Sequence, residues 1–153
     1  MNTLPYQEGS WFSVPLRNGG YAVGLVARCS EEGKVILAYF FGPKRLIGVS
    51  LNEVERLTPT EAVKALRVGD LGLMNGEWPI IGRSNNWQRN TWPMPRFIRR
   101  DDLSRRAWYS YYSEDNPAEL LKDEPAAWEA SGLDRDSVLG AGAAEIVLTK
   151  LLP

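Results

Sequence analysis

Carboxylates are the reactive groups this sequence offers in number: 19 Asp and Glu stand beside one cysteine, Cys29, and no histidine. Two carboxyls about 5 Å or about 6.5–9.5 Å apart, one with its pKa raised by burial, can cleave a glycosidic bond. Glu77 and the pair Asp101-Asp102 lie near aromatic segments that could line a sugar site. Neighbouring residues of a strand face opposite ways, so Asp101 and Asp102 do not make one such pair. Glu77 follows Asn75-Gly76, where a solvated turn accounts for it. Without imidazole there is no Ser-His or Cys-His nucleophile, and one sulfur cannot build a zinc site. The Gly140–Gly142 stretch lacks the spacing of a dinucleotide loop, and no phosphate-binding GxxxxGK[ST] occurs. The sequence therefore implies no metal, no cofactor and no catalytic group, and it points to a binder.

Charge and tryptophan give the binder its candidate surface. Between Arg83 and Arg106 seven Arg face two Asp, and between Glu114 and Asp136 eight acids face Lys122 and Arg135, within a net charge of −1. Three accounts fit. The two blocks pair with each other as solvated surface, each exposed pair worth at most about 1 kcal/mol. Alternatively, the Arg/Trp segment 83–106 stacks on bases and holds phosphates, which the near-neutral total and the flanking acids oppose. Or the acids dock on a basic protein and gain on-rate from the complementary field. Trp78 and Trp108 fall on expected strands and read as core, and Trp11 as the cap of a sheet edge. Trp87 and Trp92, on a polar loop, are the candidate interface anchors, although packing on their own domain competes with that role. The candidate partner-binding residues are Trp87, Trp92, Glu114, Asp115, Asp123 and Glu124.

These residues must be held by a chain of 153 residues, 44% apolar and 24% charged, which reads as one domain over 1–153. Trp11–Leu16 alternates, and Pro15 makes it an edge strand. Asn18-Gly19 suits a two-residue hairpin turn, Tyr21–Cys29 is the next strand, and Ser30–Lys34 a polar turn. Gly24 marks a bend or a close approach. The run from Val35 to Phe41 is apolar on both faces and reads as a central strand. Leu51–Leu57 is a weak short helix. Thr58, Pro59 and Glu61 form a capping box that predicts a helix of about three turns ending at Gly69. A hairpin around Asn75-Gly76, an ordered loop over 83–95, and strands at Phe97–Arg99 and Arg106–Tyr112 come next. The stretch 114–136 reads as mostly irregular, and Ala144–Leu152 fits either a strand or a helix, with Ile146-Val147 and Thr149 favouring the strand. The expected fold is α+β, mainly β: a curved antiparallel sheet or partly open barrel with one or two short helices.

The segments Gly9–Leu16, Gly20–Gly24, NGEWPIIG and WPMPRF, in that order, resemble the immunity protein 26 family of bacterial polymorphic-toxin systems. Ser10 stands where the family pattern suggests Asp. The resemblance implies a protein that binds and neutralises a cognate toxin by occlusion. Some members carry a phosphotriesterase label, which supplies a metal-dependent hydrolase as the alternative. The N-terminus lacks a secretory signal, no apolar run reaches the roughly 20 residues of a membrane span, and a lone thiol suits a reducing compartment, so a cytoplasmic location is expected. Oligomeric state is left open.

Overall fold

The computed structural model describes residues 3–153. Eight strands make two antiparallel sheets: β1 (Ser10–Pro15), β2 (Tyr21–Cys29), β3 (Val35–Arg45), β4 (Lys64–Gly69) and β5 (Ile80–Arg83) in the order β4-β3-β2-β1-β5, and β6 (Phe97–Asp101), β7 (Arg106–Tyr112) and β8 (Leu120–Ala126) in sequence order. Three α-helices, α1 (Leu51–Val54), α2 (Leu71–Met74) and α3 (Ala141–Leu151), and two 3₁₀ turns, Pro59–Glu61 and Arg89–Thr91, complete the described elements. The fold is mainly β within α+β, as expected.

Period-two alternation on β3 builds both cores. Ile36, Ala38 and Phe40 face Phe12, Val14, Trp78 and Leu148 on one side of the large sheet. Leu37, Tyr39 and Phe41 face Trp11, Leu25, Trp92 and Phe97 on the other. The second core joins the two sheets, so Trp11 is a core residue and not an edge cap. Trp108 is only half-buried, with the Arg99 guanidinium 4.9 Å over its ring.

Several expectations need correction. β1 is interior, because residues Ser10–Phe12 also pair with β5; Pro15 lies beyond that pairing, where its missing N–H interrupts nothing. The first hairpin uses a three-residue loop with positive φ at Gly19 and Gly20, and Asn18 keeps negative φ. The capping box of Thr58 and Glu61 forms, yet it starts only one 3₁₀ turn, Pro59–Glu61. Beyond it Leu66 and Val68 alternate with Ala65 and Arg67, and pairing along β3 outweighs the local helix signal. Asn75-Gly76 ends α2 instead of turning a hairpin: Trp78 donates its backbone N–H to Gly72 O (2.8 Å), and β5 pairs with β1. The acidic stretch contains β8, and the last segment is helical, as α3, up to Leu151. Ala144 and Leu148, one helical turn apart, are buried in the first core, and Ile146 is left exposed.

Candidate functional site

Trp92 is 6% exposed and meets Trp11, Tyr39 and Phe41 edge-on at 6.0, 5.0 and 6.0 Å. Its place is the core, where it pins the 83–95 loop, and it offers little to a partner. Trp87 stacks on it (6.4 Å, 17°) and remains partly exposed, donating Nε1–H to the Glu8 carboxylate at 3.3 Å. From Glu8 the polar contacts run on to Arg89 (3.1 Å), and from Arg89 to Asp115 (3.0 Å) and to Glu114 O. The Glu114 carboxylate in turn accepts from Arg28 Nε. Trp87, Glu114 and Asp115 thus share one network at the end of β2.

Asp123 and Glu124 belong elsewhere. They are successive residues of β8 and so face opposite sides of the small sheet. Asp123 pairs with Arg99 at 3.2 Å. Glu124 pairs with Lys122 at 3.0 Å and accepts from the Tyr111 hydroxyl at 3.0 Å; these two bonds hold its carboxyl below the ordinary range.

The charged blocks meet each other at only two ion pairs, Arg89–Asp115 and Arg99–Asp123. Other arginines of the basic block lie on π faces: Arg96 over Tyr109 at 3.8 Å and Arg105 over Trp128 at 4.3 Å. Arg100 instead caps the carbonyls of Trp128 and Ala130. The acids draw partners from other elements: Arg28 for Glu114, Lys64 for Asp134 and Arg67 for Asp136.

Sequence reasoning passed over Arg28 and Arg67, which are both buried. They stand in register with Leu37 across β2, β3 and β4. Arg67 donates to Pro117 O (2.9 Å) and to Asp136 (2.9 Å), with its guanidinium 3.5 Å over the Tyr112 ring. Ser110 donates to the same carboxylate at 2.7 Å, as does the Tyr112 hydroxyl. Together the two arginines fasten the turn after β7 and residue 136 to the large sheet, and so position the acids around Glu114. An arginine at an inward position of an alternating strand was the available signal.

Two further acids lie beside that network. Glu31 and Glu32, on the turn between β2 and β3, line a cleft of about 500 Å³ with Asp115, Asn116 and Cys29. Among the described residues no Lys or Arg comes within ion-pair distance of Glu31 or Glu32. Burial, then the charge of Glu8, pushes the Cys29 thiol up to about 11, which makes it a poor nucleophile. Among the described residues no three Asp, Glu or Cys gather as a metal site would require, and no helix is long and apolar enough to cross a membrane.

The domain is small and rich in β structure, with Glu31 and Glu32 in no ion pair on its outer rim. The chain matches the family model of Immunity protein 26 over residues 7–109 and belongs to that family. Membership implies a toxin as its partner. No curated protein and no solved structure matches the chain. The family match ends within β7, so Glu114, Asp115, Asp123 and Glu124 lie outside it.

Proposed function

We propose that this protein protects the cell that makes it by binding its cognate toxin in the cytoplasm and covering the toxin's working face, without turnover. The observation that carries the reading beyond family membership is the rim of Glu31, Glu32, Glu114 and Asp115, with Trp87 beside it. Among the described residues two of these acids, Glu31 and Glu32, are in no ion pair, which favours a basic partner. A toxin that works on nucleic acid has a basic substrate face, and the rim would occupy it as phosphates do. An interface of standard size buries about 800 Å² per partner, roughly a tenth of the 8578 Å² this chain exposes.

A metal-dependent hydrolase would need three ligands converging on one ion, which no three Asp, Glu or Cys do among the described residues, and the nucleic-acid reading of segment 83–106 would need free indoles. Trp92 is in the core and Trp87 lies against it, so neither alternative draws support from the geometry.

The test is to look for a toxin gene immediately upstream of this chain's gene and to co-express the toxin domain that such a gene encodes. The wild type should restore growth and form a stoichiometric complex that a chelator leaves intact. Glu31→Lys combined with Asp115→Lys should slow association about tenfold or more at low salt and flatten its salt dependence. Failure of rescue and of complex formation removes the function; rescue with an unchanged association rate removes the rim from the interface.

A further inference from the structure

An apolar hollow adjoins the acidic rim, and we propose that it seats one apolar side chain of the toxin, flanked there by cations, as the anchor of the interface. The inference rests on the toxin-neutralising reading above and names the partner chemistry that site takes.

The hollow holds about 330 Å³ between the segment before β6 and the edge strand β8. Met94, Pro95, Tyr111 and Leu121 give its apolar walls, and Glu114 and Lys122 stand at its rim. Leu121 reaches it through an irregularity in the ladder. Tyr111 pairs with Lys122 and Tyr112 with Leu120, so Leu121 is an extra residue, bulged out of register and 60% exposed. Its neighbour on β7 is fixed in place. The Tyr111 hydroxyl donates to Glu124 at 3.0 Å and lies 3.3 Å from Arg96 Nη1, and Lys122 Nζ sits 4.8 Å over the ring. A wall held this firmly loses little further freedom when a side chain packs on it.

The charges around the hollow specify the rest of the occupant. Lys122 is neutralised by Glu124, and Glu114 by the buried Arg28. One step along the chain, however, Asp115 opens onto the cleft of Glu31 and Glu32, where negative charge is in excess. An apolar side chain with Lys or Arg beside it satisfies both parts. Tyr, Met and Arg are also the residue types that dominate buried interface centres.

This chain carries such segments itself: Lys44-Arg45-Leu46-Ile47, with Leu46 and Ile47 78% and 80% exposed, and Leu103, 97% exposed, next to Arg105 and Arg106. Seated on the hollow of a second copy, such a segment would make a heterologous contact, which closes into a ring or runs on as a filament. A second copy brings the same acidic cleft with it, so charge complementarity favours the toxin as the occupant.

The experiment measures affinity of the full chain for the upstream-encoded toxin domain by calorimetric titration, with self-association followed by sedimentation. Leu121→Asp should weaken binding about 100-fold or more and Leu121→Ala about tenfold. The thermal midpoint should stay unchanged in both, since the side chain is largely solvated. Leu46→Asp should bind within threefold of the wild type. Wild-type affinity retained by Leu121→Asp overturns the hollow and leaves the function standing. So does concentration-dependent self-association of the wild type that Leu46→Asp abolishes. A wild type that does not bind the toxin removes the function and the hollow together.

Discussion

Cys29 closes β2 beside the acidic cleft, and its raised pKa of about 11 leaves about one thiolate in ten thousand at pH 7. Three tyrosines shift the same way. Burial, with the hydrogen bond to Asp136 second, raises Tyr112 to about 12; burial raises Tyr39 to about 12; and burial with the bond to Asp70 raises Tyr6 further. The unfolded chain releases these protons near the ordinary 9 and 10, before the native protein does. Above that range the unfolded state binds fewer protons, so stability falls as pH rises. We expect the denaturant midpoint to hold between pH 7 and 8.5 and to decline steadily from pH 9 to 12. Iodoacetamide at pH 8 should label the native thiol about 100-fold more slowly than the denatured one. Fast native labelling would show Cys29 open to solvent, and a flat alkaline profile would show the tyrosines equally free in both states.

Between strands the sharpest constraint is at Gly24, which faces Phe12 across the β1–β2 ladder. A Cβ at Gly24 would clash with the outer edge of the Phe12 ring, itself stacked on Trp78 at 5.6 Å and 3°. Gly24→Ala should therefore cost about 1–3 kcal/mol by overpacking, read from urea denaturation. Added to Phe12→Leu, it should cost clearly less than it does alone, because the two sites share one space; simple additivity would place the strain elsewhere. The sequence marks that glycine as a bend or a close approach, and a close approach it is, made by a ring. β2 and β3 were legible because alternation and burial agree on them. β8 was not: Lys122, Asp123 and Glu124 are all exposed or nearly so, and no apolar alternation marks a strand. Without β8, Asp123 and Glu124 fall on a common acidic surface, when a strand divides them. The capping box at Thr58 is legible as chemistry and misleading as length, because β3 offers a pairing edge that the local sequence does not reveal. At the site, charge alone picks out Glu114 and Asp115, whereas Glu31 and Glu32 pass for ordinary turn residues.

At the scale of the whole molecule, the family match stops at Tyr109, yet residues 110–153 are built into both cores. Ala144, Leu148 and Leu152 cover one face of the large sheet, and Glu145 accepts the buried Trp78 Nε1–H at 2.8 Å. On the other face Asp136 neutralises Arg67, with Ser110 and Tyr112 filling its remaining lone pairs. Each buried leucine contributes about 1.5–3 kcal/mol. Removing one partner of a buried ion pair costs about 3–5 kcal/mol, since the other charge is left without compensation. Together these losses rival the 5–15 kcal/mol, roughly, by which a domain is stable at all. Residues 1–109 alone should then show no cooperative thermal transition and no near-ultraviolet circular dichroism from packed tryptophans, while the full chain shows both. A sharp melt of 1–109 would make the remainder an appendage, free to vary with the toxin. If it does not fold, the segment bearing Glu114, Asp115 and Leu121 is at once scaffold and the proposed contact surface. Its specificity can then change only at side chains such as Leu121 that point away from both cores, which is where the proposed anchor lies.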